Sequence, residues 1–97
     1  MNMINPPHPG EFIAQIYLEC SGTSCRELAG HLGVAVSTIS RLLSGHTGIS
    51  PEIALRLSAV LGRRPESWLD LQDRYDLWQA RQRVDLGSIK RMALRLA

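Results

Sequence analysis

Long apolar runs are missing from this sequence: the longest, such as Ala59-Val60-Leu61, has three residues. That speaks against a membrane span and against a signal-peptide core. Cysteine is nearly absent. Cys20 and Cys25 are too few for a disulfide framework, so the chain reads as cytoplasmic. A strong charge bias is lacking too, because eleven basic and nine acidic side chains leave a net +2. That balance does not by itself point to a nucleic acid. Strand-like alternation, internal repeats and low-complexity segments are also missing. What remains is a chain of 97 residues, 44% of them apolar. That is enough for the modest core of one small domain and too much for a wholly disordered chain. A domain of this size buries only about 60–65% of its unfolded surface, which favours oligomerisation.

The small net charge hides an uneven distribution. Residues 1–50 hold Arg26 and Arg41 against Glu11, Glu19 and Glu27, whereas the last nineteen residues hold Arg81, Arg83, Lys90, Arg91 and Arg95 against Asp85. Any general electrostatic grip is therefore concentrated late in the chain.

Periodicity and punctuation predict an all-α fold of five helices. Pro9 suits the first turn of a helix that presents Phe12, Ile13, Ile16, Tyr17 and Cys20 on one apolar face and ends at Ser21-Gly22. Ser24-Cys25-Arg26-Glu27 has the spacing of a capping box, opening a helix with Leu28, Ala29 and Leu32 inward and Gly33 as its stop. A third helix runs through Thr38 to Leu43 and closes at Ser44-Gly45. Ser50-Pro51 starts a fourth that presents Ile53, Leu57, Val60 and Leu61 before Gly62. Pro65 starts a fifth, extended to about Arg83, with Trp68, Leu71, Tyr75 and Trp78 in a short heptad-like seam. Residues 1–83 then form the domain and 84–97 a basic tail, either a short helix from Ser88 or irregular.

The segment Cys25–Ser44 carries the strongest functional signal. It combines a small residue at a close helix approach (Ala29), a glycine in the turn (Gly33), a turn valine (Val34), and Ile39 and Leu42 to lock a second helix onto the first. Two helices joined by such a turn form a helix-turn-helix unit, whose second helix fits the major groove. Periodicity leaves Val36, Ser37, Thr38, Ser40, Arg41 and Ser44 facing outward. Val36 and the Thr38 methyl suit a thymine methyl, the Ser37 and Thr38 hydroxyls suit base edges, and Arg41 suits guanine or a phosphate. Ser44 and the backbone of Gly45-His46-Thr47-Gly48 suit phosphates. Against this stand bland readings: an ordinary helical hairpin, a solvated Arg41, a solvent-facing Ser40. Tyr75 and Trp78 are expected at a dimer interface, where such rings are enriched, with Trp68 and Leu71 in the core.

The chain resembles the HigA/VapI family of antitoxins within the Cro/C1-repressor (lambda repressor-like, XRE) class. The resemblance rests on His8-Pro9-Gly10-Glu11, Glu27-Leu28-Ala29, Leu32-Gly33-Val34, Ile39-Ser40, Leu43-Ser44-Gly45 and Gly48-Ile49-Ser50-Pro51-Glu52. It continues through Ala54-Leu55-Arg56-Leu57, Leu61-Gly62, Pro65-Glu66-Ser67-Trp68-Leu69, Leu71-Gln72 and Tyr75-Asp76-Leu77-Trp78. It spans about residues 8–80. It implies a homodimer on a palindromic operator that represses its own operon and neutralises a partner toxin similar to RelE/HigB-type mRNA interferases. Two departures stand out. Ala35 replaces the usual Ser or Thr cap of the recognition helix, so Ser37 is a candidate cap for a shorter one. His46-Thr47 replaces a common Lys-Arg.

Other chemistries fit poorly. Cys20, Cys25 and His31 match no common zinc spacing. His8, His31 and His46 have no arranged nucleophile or acid beside them, so neither metal, cofactor nor catalysis is expected. Two rival readings remain in other classes: a stand-alone repressor without a toxin partner, and an interaction module that no longer reads DNA.

Overall fold

The computed structural model describes residues 5–95, and these contain helices and no strand. The two expected spans therefore lose residues 1–4 and 96–97, which lie outside the described residues. Helix α1 (Pro9–Ile13) starts at the expected proline, with His8 as its cap: the Gly10 N–H donates to His8 Nδ1 at 2.9 Å. The chain then continues through a π-helical segment, Ala14–Glu19. The wider turn changes which side chains face inward. Ile13 and Leu18, five residues apart, are buried, while Ile16 is 52% exposed and Cys20 is exposed. The spacing of 3.6 residues placed Ile16 and Cys20 on the inner face. The π turn rotates them out.

Helix α2 (Cys25–Leu32) has the expected capping box. The Glu27 N–H donates to Ser24 Oγ at 3.1 Å, and the Ser24 N–H donates to Glu27 Oε1 at 3.0 Å. The hydrogen bond from the Ser24 N–H, helped by the Ser24 side chain, holds the Glu27 carboxyl below its usual pKa. Helix α3 (Val36–Leu43) follows, and helix α4 (Pro51–Leu61) is capped by Ser50 Oγ, which accepts from the Ile53 N–H. Val60, expected inside, is 36% exposed because the last turn of α4 flanks an open cleft against Tyr17, Leu18 and Leu28.

Helix α5 (Pro65–Arg83) supplies Trp68, the largest fully buried side chain. Its indole Nε1 donates to the Gly62 carbonyl at 2.9 Å, and its ring meets Tyr17 and Phe12 at centroid distances of 5.7 and 6.4 Å. Around it the core gathers Ile13, Leu28, Leu32, Ile39, Leu42 and Leu57. Leu71 packs against this core as expected. Past Arg83 the described chain forms only a turn, with the Gly87 N–H donating to Asp85 Oδ1; no helix begins at Ser88. Nothing there packs back on the core. The radius of gyration is accordingly 17.1 Å, against about 12.5 Å for a compact chain of this length.

Candidate nucleic-acid interface

Helices α2 and α3 form the helix-turn-helix unit, and several contacts fix its angle. Ala29 is 1% exposed where the two helices meet, and the Val34 N–H donates to the Ala29 carbonyl at 3.1 Å. Gly33 takes φ +72°, a left-handed conformation that a side chain disfavours. Val34 is half-buried against the core.

Three positioning contacts were not read from the sequence. Gly10 sits directly on α3, where a Cβ would collide with the Leu42 carbonyl and lie 2.9 Å from Leu43 Cα. Arg56 reaches across from α4, donating from Nη1 to the Leu32 carbonyl at 2.7 Å while paired with Glu52 at 3.2 Å. That cation covers the C-terminal carbonyls of α2 at the turn. Gln72 of α5 accepts from the Ile49 N–H at 2.8 Å and packs on Gly48, anchoring the loop that leaves α3. The Glu52/Arg56 spacing of four residues signals an intrahelical pair. Nothing in the sequence says that the guanidinium also spans to α2.

On α3 itself, Ile39 and Leu42 are buried, so the opposite face is open. Val36, Ser37, Thr38, Ser40, Arg41 and Ser44 are all exposed on it. The helix begins at Val36 with Ala35 as its cap residue, and no side chain accepts at that end. Ser37 is therefore inside the first turn and does not cap a shorter helix. Its backbone can follow this path because the Ala35 carbonyl already accepts from the Thr38 N–H at 3.1 Å. Ser44 Oγ donates to the Arg41 carbonyl at 3.2 Å and lies 2.8 Å from His46 Nδ1. Together Ser40, Arg41, Ser44, His46 and Thr47 line a shallow recess at the end of the helix.

Tyr75 and Trp78 are both half-buried on α5. The Tyr75 ring stands edge-on to His8 at 4.9 Å and its hydroxyl accepts from Gln79, while Trp78 lines a recess with Pro7, His8 and Glu11. His8 is pushed below its usual pKa by burial, against the opposing pull of the Asp76 carboxylate. The two thiols diverge: Cys20 points to the Gln15 carbonyl and Cys25 to that of Val36. Among the described residues no three His, Cys, Asp or Glu side chains gather as metal ligands would.

The helix-turn-helix family model matches residues 18–69, the segment that contains this unit. The antitoxin HigA-1 of Vibrio cholerae serotype O1 is 38% identical, over 80% of this chain and 73% of its own. This chain belongs to the HigA family of helix-turn-helix antitoxins. The similarity extends beyond the motif. The HTH-type transcriptional regulator YddM of Escherichia coli K12 is 41% identical over 95% of this chain and 97% of its own. The structure of the antitoxin GraA in complex with its operator matches this HigA-family fold with a TM-score of 0.86 and 38% identity, over 97% of this chain and 98% of that one. Both of these long matches take in α5 as well as the helix-turn-helix.

Proposed function

We propose that this chain is the DNA-binding antitoxin of a type II toxin–antitoxin pair. It binds a palindromic operator as a dimer through α3, represses its own operon, and neutralises a toxin of the RelE/HigB-like mRNA-interferase kind. The carrying observation is the face of α3: six exposed side chains, only Arg41 among them charged, on a helix locked by Ile39 and Leu42. The likeness to an operator-bound antitoxin across nearly the whole chain supports the same reading. Val36 and Thr38 offer methyl groups to thymine, Ser37, Thr38 and Ser40 offer hydroxyls to base edges, and Arg41 offers a fork to guanine. Ser44 holds the turn from which backbone amides reach a phosphate. Two copies place their α3 helices roughly 34 Å apart in successive major grooves. The open edges of the half-buried Tyr75 and Trp78, in the recess beside His8 and Glu11, contribute from α5 to the dimer contact.

The test is a mobility shift with the chain's own promoter. Arg41→Ala weakens specific binding by about 1–3 kcal/mol and relaxes the preference at one base pair. Unchanged affinity and preference overturn the assignment of α3 as the reading helix. Co-purification of the product of an adjoining reading frame separates an antitoxin from a lone repressor. Sparse basic charge on α3 further implies a shallow dependence of affinity on salt. A slope steeper than about −6 per dimer brings the basic tail into contact with DNA.

A further inference from the structure

The recess at the end of α3 is polar and, among the described residues, has no carboxylate in its lining. Ser40, Arg41, Ser44, His46 and Thr47 supply a guanidinium, hydroxyls and an imidazole. That set suits an anion, and beside a helix that enters the major groove the nearest anion is a backbone phosphate. The main chain offers it little. The amides of Gly45, His46 and Thr47 already donate to the Leu42 and Arg41 carbonyls, at 3.1, 2.9 and 3.4 Å. Side chains must therefore supply most of the grip.

Ser44 fixes which nitrogen of His46 carries the proton. A hydroxyl has a single proton to give. Ser44 Oγ gives it to the Arg41 carbonyl at 3.2 Å, so toward His46 Nδ1, at 2.8 Å, it can only accept. The other tautomer turns the hydroxyl proton to Nδ1 and leaves the Ser44 and Arg41 oxygens face to face with no proton between them. The neutral ring thus carries Nδ1–H, and its Nε2 is a bare lone pair. A bare Nε2 repels a phosphate oxygen. Protonation reverses this, because Nε2–H then donates from a cation.

We infer that His46 is a proton-dependent phosphate contact, gripping the operator backbone through Nε2–H only as the imidazolium, so that binding takes up a proton at each half-site. The inference rests on the reading of α3 above and names a further binding residue and its regulation by pH. Arg41 on α3 is the one fixed charge among the residues lining the recess. A second cation beside it is favoured when an anion sits between them, which is what the phosphodiester provides. From the other elements, His8 at the cap of α1 lies against Gly45 and the Thr47 backbone, with Glu11 of α1 and Asp76 of α5 acting on it. Gln72 of α5, which is neutral, packs on Gly48. His46 itself is exposed, so its charge can change without unfolding the helix beside it.

Fluorescence anisotropy with a duplex of the chain's own promoter, at fixed ionic strength between about pH 8 and pH 6, tests this on the full chain. Parent affinity rises roughly tenfold or more as the pH falls, the gain expected of a charge-assisted contact made in both half-sites. His46→Gln, which cannot take up a charge, flattens the profile. His46→Lys, charged throughout, binds more tightly than the parent near pH 8, with a salt slope steeper by about two per dimer. His8 titrates below the usual histidine range and is common to every variant, so its effect cancels in the comparison. A second readout needs no DNA: nitrogen-15 NMR of the free chain near pH 8 finds the His46 proton on Nδ1. A proton on Nε2, a parent affinity indifferent to pH, a His46→Gln profile that follows the parent's, or a His46→Lys chain no tighter than the parent overturns the inference and leaves α3 as the reading helix. A parent that binds no promoter DNA at any pH overturns the reading of α3, and this inference with it.

Discussion

Helices α2 and α3 have the same length, eight residues each, and are held in opposite ways. Helix α2 is stabilised at both ends from its own sequence, by a reciprocal capping box at the start and a left-handed glycine at the end, with Arg56 of α4 added over its last carbonyls. Helix α3 has Ala35 where a cap would be, and depends on burial of Ile39 and Leu42 and on the close seat of Gly10. Such short helices are marginal alone. The comparison teaches that the helix presenting the reading face is fixed by its neighbours, so changes far from it in sequence should move it most.

The largest effect should follow from Gly10→Ala. The added methyl meets the Leu42 backbone, which cannot turn aside as a side chain can. We expect a loss of about 3 kcal/mol or more in denaturant unfolding, at the upper end for an overpacked contact. Stability within a few tenths of the parent would show that α1 does not set the position of α3. Next comes Ser24→Ala, which deletes the Ser24 Oγ half of the α2 capping box and leaves the backbone N–H of residue 24 donating to Glu27. It should cost about 1 kcal/mol, and operator affinity should hardly change once folding is complete. Ala35→Ser runs the comparison the other way, giving α3 the cap it lacks. A gain of about 0.5–1 kcal/mol is expected, and no gain would mean that packing has already fixed the first turn.

The smallest effect concerns pH. Neutral His8 accepts the Gly10 N–H, and burial lowers its pKa below the usual value for histidine. On acidification the unfolded chain takes up a proton at that site first. The contribution is therefore fully present above the ordinary histidine pKa and is lost as pH falls through the lowered one. Melting temperature followed between about pH 8 and pH 5 should decline more in the parent than in His8→Ala. Equal declines would remove His8 from the account.

Much of the fold was legible because its signals are local. Pro9, Ser24-x-x-Glu27, Gly33, Ser50-Pro51 and Pro65 each act within one or two turns of chain, and each starts or stops the helix it predicts. The outward residues of α3 were legible for the same reason, since Ile39 and Leu42 fix which side is inside. The failures arise where geometry departs from the average turn. A π-helical segment has no reliable signature in sequence, and it moved Ile16 and Cys20 to the surface while burying Leu18. Ser37 looked like a cap by residue type, yet tertiary support lets α3 start at Ala35 without one.

By itself the sequence determined the helices, the glycine turn, the helix-turn-helix and the uneven charge, because propensity, capping and periodicity depend on residues only a few positions apart. Tertiary structure alone decided that Gly10 seats the reading helix, Arg56 the turn before it and Gln72 the loop after it. It also decided that α5 turns Tyr75 and Trp78 toward its own chain and leaves the Leu77 face bare. Those outcomes depend on backbone and side-chain atoms brought together from distant parts of the chain, and distance in space is not written in the order of residues.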